Sequence, residues 1–371
     1  MPVRSARSAR STASLPSSSE SQGGHAADAT VDGRWLLLGS GGRLTAYARN
    51  REGVLRWTED RPGGSTWSGP ELFPVAGLTH LSVAQGADGY VHFIGRRSRP
   101  KPDGAAAVDL VHAIQYQSGR PLAAWRSLGN PHKDQEKAAR LGVPAGAVDD
   151  AGTLYILVRN AGRGLMLRRE DRTGKWEAWR DLKGSMFQDT PAVVAAASGR
   201  IEVLIPGEEG AGRWVQSEPR EVPKPAEDIP VAIVPGSAVA LETAPDRATY
   251  FWTDPASGSV VAHRPGGWVI PLGGSPSGPV AAVRAMLDGY DCTILAHCDS
   301  EGHVMLAACG TENESAGLWW SPTGERGTGT PGLALDAHGR VVIATLAPDG
   351  SLRVARQNDE PGLAMGPSVR V

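Results

Sequence analysis

Residues 190–216 read TPAVVAAASGRIEVLIPGEEGAGRWVQ. A short apolar run leads into a turn at Ser198-Gly199, and an alternating stretch follows. A second glycine-bearing turn then opens onto GRWV. Period-two alternation bounded by glycine turns is the sequence signal of hairpin-linked strands. The same order recurs in residues 143–170, VPAGAVDDAGTLYILVRNAGRGLMLRRE, and in residues 330–357, TPGLALDAHGRVVIATLAPDGSLRVARQ.

Working outward, the first turn recurs at Gly42, Gly89, Gly152, Gly199, Asp246, Gly289 and Gly339, at intervals of 47, 63, 47, 47, 43 and 50 residues. The second recurs at Gly53, Gly164, Gly258, Gly302 and Gly350. Fourth strands are predicted in TWSGPELF, AWRSLG, AWRDLKG, GWVIPLGG and WWSPTG, with Trp67, Trp125, Trp179, Trp268 and Trp319 or Trp320 in comparable places. The fourth unit offers only REVPKP there. Four strands in about 47 residues is blade spacing. A lone blade cannot bury both faces, so neighbours must stack. The expectation is an all-β fold: a single seven-bladed β-propeller of four-stranded antiparallel blades over residues 31–371, behind a disordered Ser/Arg-rich tail at 1–30. Residues 34–38 supply the first inner strand. The C-terminal GPSVRV is either the last outer strand or a strap exchanged with the N-terminal run.

Composition agrees with short strands and tight turns, since 47 Gly and 28 Pro among 371 residues would break long helices. Eleven Trp against four Phe point to a recurring Trp position or a stacking surface. A formal charge of −2 with interspersed signs excludes a nucleic-acid footprint. No apolar run approaches the ~18 residues of a membrane span. The first 24 residues hold eight Ser and three Arg but no apolar core, so no ordinary secretory signal is read. Location stays open between the cytoplasm and export by a non-standard route.

Unit two carries the long interval. Residues 96–107 (RRSRPKPDGAAA) separate its second and third strands, and residues 130–142 (NPHKDQEKAARLG) link it to unit three, with a short helix predicted from Asp134. Both connections emerge on one face of a radial meander. Arg97, Arg99, Lys101, Lys133 and Asp134 are the candidate partner-face residues, loops on a rigid scaffold being common binding sites. Residues 218–230 are expected to join that face.

Cys292 and Cys309 are expected as a direct cross-strand pair, either bridged or as two buried thiols. His297, Cys298 and His303 lie close in sequence, but neighbours 297 and 298 point to opposite faces of a strand, and no metal site is assigned. His92 and His112 flank the insertion and are expected to form a hydrogen-bonded structural pair.

The units resemble the propeller lectins of the bacterial fucose-binding type, and more loosely sialidase-like and tachylectin-like propellers. The likeness is carried by Pro191-Ala192-Val193 with Ser198-Gly199-Arg200, by Asp349-Gly350-Ser351-Leu352, by Trp67-Ser68-Gly69-Pro70 and by Trp125-Arg126-Ser127-Leu128-Gly129. It implies sugar sites between adjacent blades, on Arg56-Trp57 and Arg213-Trp214 and on Trp67, Trp125 and Trp179. An aromatic face would pack on the C–H side of a sugar while charged groups bind its hydroxyls. Other units read LMLRR, VVAHR, VMLAA and LRVAR, without that Trp.

No sialidase S-x-D-x-G-x-T-W box occurs, nor G-x-S-x-G, H-E-x-x-H or P-loop, and no cofactor is expected. The reading is a non-catalytic, lectin-like propeller that binds a glycan or glycosylated surface. A protein partner on the insertion face and an enzyme with an axial pocket are the alternatives.

Overall fold

A computed structural model describes Ala26 and residues 28–371 except 103, 172 and 189. The tail expected at residues 1–30 falls largely outside these. The chain forms seven four-stranded antiparallel sheets, each built from four consecutive strands. The blades span residues 36–74, 78–129, 145–183, 192–225, 239–273, 281–326 and 332–370. All seven first-turn markers, including Asp246, have positive φ between 55° and 88°. The turn between inner and second strand therefore recurs in one left-handed conformation, which glycine adopts without a Cβ penalty. In the fourth blade the outer strand is reduced to Lys224–Pro225.

Alternation gives every blade two apolar faces. Leu55 and Trp57 pack into the core shared with blade seven, while Val54 packs toward blade two. Inner strands lie against one another around the ring, the first (Leu36–Leu38) against the seventh (Gly332–Leu335). The indole of Trp35 donates to the Thr330 carbonyl at 2.8 Å across that junction. A Cβ on Gly332 would come within 2.9 Å of Leu36 Cβ, so the close approach needs glycine. Val369–Arg370 is the outer strand of blade seven, so the C-terminal segment takes the first of its two expected places.

The insertions depart from expectation in form. Residues 96–107 are not a loop: Val91–Pro100 and Ala106–Gln115 stay paired out to Pro100 opposite Ala106. The ladder holds because Arg97 and Asp109 are cross-strand partners in a bidentate ion pair, 3.0 and 2.7 Å, and Ser127 also donates to Asp109. The helix spans Gln135–Ala139, with Asp134 accepting from the Lys137 amide at 2.9 Å. The two insertions meet: Lys101 Nζ donates to Gln135 Oε1 at 2.8 Å, and Arg96 reaches the Ala139 and Leu141 carbonyls. Residues 218–230 do not form one connection, because Lys224–Pro225 divides them between the two ends of the ring. Among the described residues no helix is long and apolar enough to cross a membrane.

Candidate functional site at the blade boundaries

Adjacent residues of a strand point to opposite faces, and this decides what the third strands can do. Trp57 is 1% exposed and Trp214 3%, each sealed in the boundary with the preceding blade. The Trp214 ring meets Phe187 edge-on at 5.3 Å and its indole N–H donates to Leu182 O. Neither indole has a face open to a ligand, so the expected Arg56-Trp57 and Arg213-Trp214 pairs cannot converge on one pocket. Trp67, Trp125 and Trp179 are half-buried and likewise pack toward the preceding blade. Trp268 and Trp319, in contrast, are 91% and 84% exposed.

The arginines face the other way. Arg56, beside the half-buried Phe73 ring at 4.7 Å, donates to the Arg120 carbonyl of blade two and pairs with Glu71. Arg169 pairs with Glu177 at 3.1 Å and donates to the Arg220 and Glu221 carbonyls of blade four. Arg213 holds Glu202 at 2.6 Å, and Tyr250 of blade five donates to the same carboxylate. Arg264 reaches Glu314 and the Glu312 carbonyl of blade six. Arg356 reaches Glu59 of blade one. Thus an arginine and a carboxylate recur at five boundaries. The sequence carries this signal as the arginine kept in LMLRR, VVAHR and LRVAR, where no Trp accompanies it.

Between blades one and two Glu71 opens onto solvent, while the Arg56 side chain behind it is buried. A cavity of about 360 Å³ is lined by Arg43, Arg56, Glu59, Asp60, Ser68 and Glu71 with the backbone of Gly119. It lies at the end of the ring bearing the first turns, opposite the insertions. Arg56 is rigidly held, since Gln115 also donates to Arg120 O and Tyr47 donates to Gln115. Burial is the main cause raising the Tyr47 phenol, so it stays a neutral donor. Glu71 is half-exposed at the rim. Ser68 donates to Asp60, whose carboxyl is held low by that bond and by Thr66. The cavity therefore presents fixed, planar, charged hydrogen-bonding groups without a buried apolar floor.

Elsewhere, His92 Nδ1 lies 3.1 Å from His112 Nε2, as expected for a structural pair. Burial pushes their pKa values down to about 4 and about 3. His297 is buried against Trp320, while His303 pairs with Asp299 at 3.1 Å. No cluster of His, Cys, Asp or Glu among the described residues is arranged to hold a metal. Arg97 is locked onto Asp109, Asp134 caps the helix, and Arg99, Lys101 and Lys133 are exposed.

Fold and boundary pattern together define a seven-bladed β-propeller with buried tryptophans and arginine–carboxylate pairs between its blades. No protein-family model matches the sequence, and no curated protein matches it. Among solved structures it is similar to the Hadza microbial sialidase Hz136, at TM-score 0.51 and 14% identity over 89% of this chain and 73% of that one. AofleA from Arthrobotrys oligospora aligns at TM-score 0.50 and 13% identity, over 80% and 88%. A fucose-specific lectin from Aleuria aurantia aligns at TM-score 0.45 and 12% identity, over 80% and 97%. At these identities the likeness to the first two defines the fold alone.

Proposed function

We propose that this propeller is a non-catalytic carbohydrate-binding protein whose ligand sits in the cleft between blades one and two. The observation that carries the reading is the Arg56–Glu71 pair on the wall of an open polar cavity of about 360 Å³. A sugar offers vicinal hydroxyls, each a donor and an acceptor. A guanidinium fork beside a carboxylate meets both roles, and preorganisation lowers the entropic cost of binding. Tyr47 and Gln115 supply that preorganisation.

A glycan-array screen of the purified chain, followed by titration of each hit against Glu71→Gln and Arg43→Ala, tests this. Specific binding weakened at least tenfold by Glu71→Gln is the expected result. A silent array, or binding indifferent to both substitutions, removes the cleft from consideration.

A second reading places a protein partner on the opposite end of the ring. It is favoured by the long hairpin and the helix being locked together through Lys101 and Arg96, which makes a shaped platform of two insertions. Affinity capture with the parent chain and with a Lys101→Glu/Lys133→Glu variant tests it, loss of one specific partner being the expected outcome.

A further inference from the structure

Arg56, Arg169, Arg213, Arg264 and Arg356 all look toward the following blade, and each has a carboxylate in ion-pair contact. Arg168 departs on both counts. It alternates with Arg169, so it points back toward blade two beside Met166, in the cluster that includes Leu128. Its guanidinium donates to the Leu128 carbonyl and stacks near two indoles, 5.7 Å from the Trp176 centroid and 5.5 Å from that of Trp179. Burial lowers its pKa and no carboxylate counters the shift. Two donors of this boundary, Arg168 Nε and Trp179 Nε1, are buried without an acceptor among the described residues. His112 meets Trp176 edge-on at 5.4 Å, and Arg126 adds a further positive charge near His112.

A half-buried cation between aromatic walls, with no carboxylate in ion-pair contact among the described residues, is electrostatically incomplete. Five other boundaries show how this chain completes such a group: it supplies an Asp or Glu. We infer that the boundary of blades two and three takes its carboxylate from outside, as the acid group of an acidic saccharide such as a uronic acid. Arg168 receives the carboxylate through its exposed edge, and the half-buried indoles of Trp176 and Trp179 receive the sugar's C–H face. The saccharide class rests on the function proposed above, whereas the site shares no residue with the cleft of blades one and two.

The test titrates the full chain with methyl β-D-glucuronide and, separately, methyl β-D-glucoside, following indole fluorescence and heat. The acidic glycoside is expected to bind, to weaken at least tenfold in Arg168→Gln and to weaken less in Arg168→Lys. Trp179→Phe should lose part of the fluorescence response. Far-UV circular dichroism of each variant separates lost binding from lost fold. If neutral glycans bind through Glu71 while the glucuronide does not, the inference falls and the carbohydrate reading stands. If no saccharide of either kind binds, both fall. A Glu-rich peptide that binds through Arg168 in place of the glucuronide would overturn the saccharide identity of the ligand.

Discussion

Arg56 and Trp57 are consecutive in the third strand of blade one, and they belong to different blade boundaries. Arg56 reaches forward to the Arg120 carbonyl of blade two, while Trp57 is sealed against blade seven with Leu346 and Val354. The same split recurs at Arg213 and Trp214. A radial stack makes this unavoidable, because the pleat sends neighbouring side chains to opposite sheet faces and each face meets a different blade. Binding chemistry at a boundary must therefore combine residues two apart on one strand, cross-strand neighbours such as Arg56 and Glu71, or residues from two blades.

Trp57 accordingly acts on stability. Trp57→Ala is expected to cost about 3–5 kcal/mol, the range for deleting a buried aromatic side chain, read as a fall in the urea midpoint. Glu71→Gln, at a half-exposed rim position, is expected to leave the midpoint within about 0.5 kcal/mol. A Trp57→Ala chain as stable as its parent would return the indole to the list of ligand groups.

The ring was legible because its turns are local: a Gly or Asp at positive φ every 43 to 63 residues leaves a mark in one dimension. The boundaries were less so. Which blade a side chain faces depends on strand parity, and parity shifts at bulges such as those between Arg56 and Thr58 or Val260 and Val261. The same difficulty displaced the cysteines. Cys292 lies opposite Gly310, and Thr293 opposite Cys309, one residue from the expected register. The hairpin of blade two is hidden in the sequence for another reason. Its charged residues look like loop, yet Arg97 and Asp109 neutralise each other across the ladder.

That register sets the thiol chemistry. All three cysteines are free, and burial pushes the Cys298 and Cys309 thiols up to about 11 and about 12. At pH 8 an aromatic disulfide reagent is expected to leave both untouched in the folded chain and to titrate all three in denaturant. Cys292, half-buried, should react alone and slowly, since the thiolate is the nucleophile. Reductant should leave the melting temperature unchanged; a fall of several degrees would reveal a bridge.

The His92–His112 pair makes the fold acid-sensitive. Both pKa values are depressed, to about 4 and about 3, chiefly by burial. The unfolded chain therefore binds more protons than the folded one between about pH 3 and 6.5, and stability rises with pH across that window. Above it the pair contributes no slope. Denaturant midpoints at pH 4.5, 5.5, 6.5 and 7.5 should climb and then level, and the climb should be shallower in His112→Gln. An equal slope in that variant would place the acid sensitivity elsewhere.

The junction of the last blade with the first is the place where this ring has most to lose. Arg356 and Glu59, 297 residues apart, are joined there, and Arg356 Nε also lies 3.4 Å from Asp336. Glu59 is fully buried; burial raises its pKa, opposed by the Leu44 amide at 3.0 Å and by Arg356. Removing the cation leaves a buried carboxylate without its counter-charge, so Arg356→Met is expected to cost about 3–5 kcal/mol at pH 7. Replacing both members, Arg356→Met with Glu59→Met, should cost less than the single change, because no uncompensated charge remains. The pH dependence separates this account from simple loss of packing. In Arg356→Met the folded Glu59 titrates above its unfolded value, so the folded state binds the extra proton and the deficit shrinks as pH falls through the folded pKa. Urea unfolding of both variants at pH 7.5 and pH 5.5 checks this. A deficit equal at both pH values would mean that Arg356 works through its methylene stem, and that the closing contact is apolar.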